Sequence, residues 1–258
     1  MEVVILPSPE AVCDAGAELA ARLVAGQPSS VLGLPTGATP RALYAELVRR
    51  HRADGLSFAR VTTFNLDEYV GVGPEHPGSF RRYMEDALFR HVDLAPSRTH
   101  VPDGLAADVR ASCAAYEAAI AAAGGLDLVL LGLGGDGHLA FNEPTSSLAS
   151  RTRIKTLSAA SRAANQAAFG PDPIPGHVVT MGIATILEAR RCVLLASGAR
   201  KAPALAATVE GPVTSMVPAS ALQLHANVTV ICDEAAAARL TLTDYYRAVQ
   251  ADKPSWQR

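Results

Sequence analysis

Within eight residues the chain carries an acid, an imidazole and a second acid: Asp136, His138 and Glu143 in the segment DGHLAFNE. They follow LVLLGLGG, an apolar run that empties into a glycine-rich turn. Carboxylates beside a histidine orient it and stabilise its charged form, which suits general acid–base work. The same three residues suggest a metal, but the set lacks a second histidine. Gly132, Gly134 and Gly137 satisfy G-x-G-x-x-G. That pattern is not a dinucleotide fingerprint here, because it lies mid-chain and an aromatic–acid–proline turn (Phe141, Glu143, Pro144) follows it in place of a helix. A purely structural histidine in a glycine turn is the bland alternative, and the flanking acids weigh against it.

Two further stretches carry chemistry. In TFNLDEYVG, Asp67 and Glu68 stand just past a strand end. Side chains alternate in extended chain, so one of the two faces the crevice, where a carboxylate is able to move a proton to and from carbon. The competing reading is an Asp that caps the following turn. In GLPTGATP, Gly37 permits close backbone approach and Pro40 suits a first helical turn, while Thr36 and Thr39 offer hydroxyls. With the free N–H groups of a helix start these make a phosphate cradle, or equally an ordinary capped turn. HPGSF at 76–80 either closes over a site or caps the helix that follows. Lys201 opens a helix after a strand and is an anion-binding candidate. SSLASRTRIKT at 146–156 is basic among hydroxyls, with Arg151, Arg153 and Lys155; it reads as a second phosphate site or a solvated edge strand.

The elements that must position these groups alternate along the chain. Strands are expected at 3–6, 30–34, 61–64, 126–133, 153–156, 192–196 and 228–232. Helices are expected at 9–25, 40–51, 79–92, 107–123, 183–189, 201–208 and 234–240. Such alternation predicts an α/β fold: a mostly parallel, Rossmann-like sheet with helices on both faces. The run 126–133 is apolar at nearly every position and is the expected central strand. The densest turn cluster, PDPIPG at 171–176, reads as a surface loop, so one domain spanning 1–258 is expected. Its ligands would gather beyond the C-terminal strand ends.

Composition narrows the partners. With 258 residues, 49% hydrophobic and 19% charged, the chain is large enough for a sizeable core. A net charge of −2 gives no reason to expect nucleic acid or an anionic membrane. Cys13, Cys113, Cys192 and Cys232 are widely spaced among apolar residues, which predicts free buried thiols in a reducing compartment, the cytoplasm. The N-terminal MEVVILPSPE is not a secretory signal, and no apolar stretch reaches the length of a membrane span.

Taken in order, GLPTGATP, FNLDEYVG, HPGSF, GGDGHLAFNEP with SSLASRTRIKTL, and EGPVTSMVPASALQLH at 210–225 resemble the glucosamine-6-phosphate deaminase family over nearly the whole chain. The sister 6-phosphogluconolactonases share the fold but continue differently after Asp-Gly-His and lack the FNEP turn. The resemblance implies conversion of glucosamine 6-phosphate and water to fructose 6-phosphate and ammonia, with no metal and no organic cofactor. It implies that His138, set by Asp136 and Glu143, opens the sugar ring and that Asp67 carries a proton between C2 and C1. Thr36, Gly37, Thr39 and Lys201 would hold the phosphate. Some members are hexamers activated by N-acetylglucosamine 6-phosphate, so the resemblance also implies a homo-oligomer and an effector site at Ser146, Arg153, Lys155 and Thr156.

One departure stands out. The family's phosphate-binding arginine is replaced by alanine, Ala167, in Asn165-Gln166-Ala167-Ala168-Phe169. Loss of a charged hydrogen bond of this kind weakens binding by about 1.5–3 kcal/mol. Arg162 and Arg200 are the nearby candidates to replace it, and a divergent amino-sugar substrate is the other consequence. A lactonase on the same fold and a non-catalytic sugar-phosphate sensor remain the competing functions. A sensor of this type usually carries a helix-turn-helix segment, for which there is no room before the first strand.

Overall fold

In the strand β6 (Leu128–Gly132), Leu128 and Leu130 point into one core while Val129 and Leu131 point into another. A strand apolar on both faces must be covered on both. The computed structural model describes residues 1–254, and its large sheet has seven strands, all parallel. These are β1 (Glu2–Leu6), β2 (Val31–Leu34), β3 (Thr62–Asn65), β5 (Thr99–His100), β6, β9 (Cys192–Ala196) and β10 (Val228–Asp233). Their order across the sheet is β1-β10-β9-β6-β2-β3-β5, which puts the expected central strand fourth of seven.

Helices α1 (Pro9–Gly26), α2 (Ala38–Asp54) and α3 (Phe80–Ala87) cover one face through Val12, Leu43, Leu47 and Met84. Helices α4 (Val109–Ala122), α6 (Ile183–Leu187), α7 (Ala202–Val209) and α8 (Glu234–Ala237) cover the other through Tyr116, Ile120, Ile186 and Leu205. The chain moves outward from β2 to β3 and β5, returns to β6 beside β2, then moves the opposite way to β9 and β10. The direction reverses between β2 and β6. In open parallel sheets, that is where ligands bind, beyond the strand C-termini.

A second sheet was not expected from the sequence. It is antiparallel, β4-β8-β7, built from β4 (Asp67–Tyr69), β7 (Arg153–Thr156) and β8 (His177–Thr180). The chain crosses from the large sheet to the small one at Leu66, whose N–H donates to Leu34 O and whose carbonyl accepts from Met181 N. Asp67 and Glu68, expected just past a strand end, are therefore themselves strand residues. The small sheet also carries α5 (Ala159–Asn165), which the sequence reading left out, between β7 and β8. A last helix, α9 (Thr243–Ala251), was likewise not expected.

The helix expected over 79–92 ends at Ala87. Leu88 leaves helical geometry (φ −141°), and a separate 3-10 turn follows at Phe89–His91. The four cysteines are free and buried. Among the described residues no helix is long and apolar enough to cross a membrane.

Candidate active site

The loop after β2 begins α2 two residues earlier than expected. Gly37 is its N-cap at φ 120°, and no side chain satisfies the first N–H groups. That φ favours glycine, and an unsatisfied helix start at a strand C-terminus is a ready anion site. Thr36 and Thr39 flank it, half-buried, with Gly37 exposed. Tyr83 Oη donates to Gly37 O at 2.7 Å and fixes the turn.

The loop after β6 is the neighbour of that turn across the β2–β6 pair. Gly134 N donates to His138 O and Gly137 N to Gly134 O, which closes the turn. A Cβ on Gly134 would stand 2.4 Å from the His138 ring, so only glycine lets the imidazole lie against this backbone. His138 Nδ1 lies 2.6 Å from Asp136 Oδ1 and 4.0 Å from Glu143 Oε2. The Nδ1 and Glu143 Oε2 are both buried, and neither makes an aligned hydrogen bond among the described residues. The imidazole is thus flanked by two carboxylates with capacity in reserve. Ligand atoms of Asp136, His138 and Glu143 lie within 4.8 Å of one another, close enough to share a cation as well as a proton.

The turn that carries Glu143 is held from below. Asn142 Nδ2 donates to Leu139 O and Met181 O, and Phe141 N donates to Thr180 Oγ1. Ala140 and Thr145 take positive φ (51° and 75°) on either side of it. Two non-glycine residues in the left-handed region within six positions mark stored strain, which tends to gather at functional sites. Glu143 Oε1 accepts from Ser161 Oγ at 2.5 Å and from Ser158 N at 3.3 Å. Both serines lie at the start of α5, where Ser158 is the N-cap. Neither was singled out from the sequence; the S-x-x-S spacing of a helix cap was the available signal.

Of the two acids on β4, Glu68 is consumed structurally. Its carboxylate accepts from Tyr69 N, Ser79 Oγ, Phe80 N and Arg81 N, and so caps α3 together with Ser79. Asp67, pointing the other way, is 5% exposed and makes no side-chain hydrogen bond among the described residues. Burial, with the neighbouring Glu68 charge as a second cause, pushes its carboxyl up to about 8. A buried carboxylate with no partner has no structural reason to be there.

Lys201 ends a 3-10 turn after β9 and precedes α7. Burial and the adjacent Arg200 lower its pKa, while the charge of Asp136 acts in the opposite sense, which puts Lys201 within electrostatic reach of the His138 loop. Ala167 is exposed in the 3-10 turn Gln166–Phe169, so no guanidinium stands at that point. His76, from HPGSF, lies 3.5 Å from Asp172 and 5.2 Å, ring to ring, from Phe169; the segment both starts α3 and touches the chain beyond α5.

The residues expected at an effector site are not all brought together. Strand alternation puts Arg153 and Lys155 on one face of β7 and Thr156 on the other, while Ser146 is buried with its Oγ unpartnered. Arg153 donates to Asn142 Oδ1 at 2.8 Å, which gives it a task in the Glu143 turn.

Fold and site define an α/β protein with a doubly wound parallel sheet, a helix start without a side-chain cap, and a histidine flanked by two carboxylates at the switch point. The family profile described as glucosamine-6-phosphate isomerases/6-phosphogluconolactonase matches residues 8–231. Glucosamine-6-phosphate deaminase of Hahella chejuensis is 53% identical over 253 residues, covering 98% of this chain and 97% of its own. The protein of the same name from Mycolicibacterium smegmatis is 51% identical over 259 residues, covering 100% and 99%. A solved structure described as a monomeric glucosamine-6-phosphate deaminase superposes with a TM-score of 0.90 at 42% identity, over 93% of this chain and 100% of that one. The 6-phosphogluconolactonase of Trypanosoma cruzi superposes at 0.77 with 24% identity, over 93% and 97%, which is a likeness of fold alone. The chain belongs to the glucosamine-6-phosphate isomerase/6-phosphogluconolactonase family.

Proposed function

We propose that the protein is an isomerising deaminase that converts glucosamine 6-phosphate and water to fructose 6-phosphate and ammonia. The observation that carries this reading is the pairing of Asp67, buried and unpartnered, with His138 between two carboxylates at the same end of the sheet. The names and identities of the relatives favour it over a lactonase, whose solved examples share only the fold.

The phosphate caps α2, with N–H groups near Gly37, the hydroxyls of Thr36 and Thr39, and Lys201 as the countercharge. Binding there positions the distant carbons, so part of the binding energy is used at C1 and C2. His138 takes the proton of the anomeric hydroxyl and returns one to the ring oxygen, and the C1–O5 bond opens to the aldehyde. Asp136 and Glu143 stabilise the imidazolium that forms in between. Asp67 then removes the proton on C2 while a proton of the substrate ammonium passes to the aldehyde oxygen, and returns the C2 proton to C1, which leaves an iminium at C2. Water adds to C2 and ammonia departs, giving the ketose. The amino group is cationic near neutral pH; seated beside Asp67 it favours the ionised carboxylate that the empty site disfavours. These steps need no metal and no organic cofactor.

The direct check is purified protein with glucosamine 6-phosphate, followed by enzymatic assay of ammonia and fructose 6-phosphate. Equimolar release supports the reading. Hydrolysis of 6-phosphogluconolactone without ammonia would replace it with the lactonase, and binding of the amino sugar without turnover would replace it with the sensor.

Ser161 supplies a second expectation. Its hydroxyl holds Glu143 Oε1 and leaves Oε2 turned toward His138. A hydrogen bond to a charged group contributes about 1.5–3 kcal/mol. Ser161→Ala is therefore expected to lower kcat by roughly 10-fold or more and to shift the acid limb of the pH–rate profile, while Ser161→Thr retains both. Equal loss in the two variants would mean that packing, not the hydroxyl, matters at this position.

The effector reading extends the same proposal. Lys155 has no ion-pair partner among the described residues, and Arg153 is joined to Asn142, next to Glu143. N-acetylglucosamine 6-phosphate bound at this face, in a homo-oligomer, would act on the turn that carries Glu143.

A further inference from the structure

A phosphate dianion on α2 meets Lys201 as its nearest designated cation, and burial together with Arg200 makes that lysine an uneasy charge. A second cation stands one helical turn below the cradle. We infer that Arg41 is a substrate-binding residue whose guanidinium swings up to the phosphate and sets the preference for phosphorylated sugars. The inference rests on the reading that the ligand's phosphate caps α2.

Three observations carry it. First, Arg41 follows Gly37 by four residues on α2, so the two share a helix face about 6 Å apart along the axis. Side chains on a helix lean toward its N-terminus, and Gly37 has none of its own to block the way. Second, the guanidinium is not committed elsewhere. Asp86, whose charge Arg41 feels at longer range, is already taken by Arg82 Nε at 2.9 Å and Arg90 at 2.7 Å, and Arg41 forms no salt bridge among the described residues. Third, it is already held beside the cradle. Its Cζ lies 4.8 Å from the centroid of the Tyr83 ring, and the hydroxyl of that ring is bound to Gly37 O. A stacked guanidinium keeps its edge N–H groups free for a phosphate, which it grips in a planar, bidentate way that an ammonium cannot match.

The alternatives differ in placement. Arg200 lies in the same turn as Lys201, after β9, and Arg162 is exposed on α5. Neither makes a hydrogen bond or ion pair with the Gly37 turn among the described residues. Behind Arg41 a groove of about 610 Å³ opens between α2 and α3, lined also by Arg49, Arg52 and His91, so the side chain swings without crossing packed core.

The test measures KM and kcat for glucosamine 6-phosphate, and calorimetric Kd for fructose 6-phosphate, in wild type, Arg41→Met, Arg41→Lys, Arg162→Ala and Arg200→Ala. Arg41→Met keeps the apolar stem over Tyr83, so the fold is preserved. The expected result is a KM and a Kd raised about tenfold in Arg41→Met, with a smaller fall in kcat. Arg41→Lys should recover only part, and the other two variants should change little. Unchanged KM and Kd in Arg41→Met, or a loss confined to Arg200→Ala or Arg162→Ala, overturns the assignment. A wild type that binds fructose 6-phosphate but releases no ammonia defeats the catalytic reading alone, and the Kd comparison still decides Arg41. A wild type that binds neither sugar phosphate overturns both.

Discussion

Asp67→Asn is expected to cut turnover by about 10²–10⁴-fold or to the limit of detection, to leave fructose 6-phosphate binding nearly unchanged, and to make the protein more stable. The kinetic part follows from chemistry: the amide matches the carboxylate in size but takes no proton from carbon. The stability part follows from burial. Asp67 ionises near 8 in the fold against an ordinary 3.8, so between those values the native state holds a proton that the unfolded chain gives up. Stability from the protonated form is complete below about 3.8 and is eroded as pH rises to about 8. Asparagine carries no such penalty. The gain in melting temperature should be near zero at pH 4 and several degrees at pH 8, since one kcal/mol shifts a domain of this size by about 2–4 °C. For the wild type, kcat/KM reports the free enzyme and should rise with pH along a limb near 8, as Asp67 ionises. The bound amino group, a cation, should draw the corresponding limb of kcat lower. Scanning calorimetry at the two pH values decides the matter: a pH-independent difference, or a fully active Asp67→Asn enzyme, would defeat the assignment.

That penalty explains why the sequence revealed this residue's chemistry before its geometry. Strands apolar on both faces announce themselves: the boundaries 192–196 coincide with those read from the sequence. The strand β4 does not. It is three residues long, two of them acids, and its partner β8 lies more than a hundred positions away. An acidic pair after an apolar strand reads as that strand's end, because the pairing that makes it a second strand is supplied by residues distant in sequence. Helix α5 was hidden for a similar reason: seven residues, mostly alanine and serine, carry no apolar stripe. With it went Ser161, whose contact with Glu143 spans eighteen residues. Conversely, Asp136, His138 and Glu143 were legible because a single turn delivers all three. Arg153 was legible as a cation but not as the partner of Asn142, since register across the small sheet decides that contact.

His138 and Asp67 stand in sequence in the proposed reaction, and this order yields the sharpest separation of roles. His138→Asn removes the proton carrier between the anomeric hydroxyl and the ring oxygen, and positioned acid–base groups of this kind contribute about 10²–10⁴-fold. Deamination should fall by that factor. The step it serves is also measurable alone: ring opening interconverts the α and β anomers of glucosamine 6-phosphate, a change followed directly by NMR. Asp67→Asn cannot move the C2 proton but keeps His138, so it should still speed anomer interconversion while releasing no ammonia. His138→Asn should lose both. The reason lies in the arrangement at the switch point. His138 owes its place to the Gly134 turn, and its charge partners are Asp136 and Glu143. Asp67 owes its place to the bend at Leu66 and the pairing with β8. The two supports meet at Thr180 and Met181, but neither substitution removes a side chain to which the other site is bonded, so the two losses are expected to be separable. Loss of anomer interconversion in Asp67→Asn, or its retention in His138→Asn, would assign ring opening to a different residue and leave the imidazole without the role proposed for it.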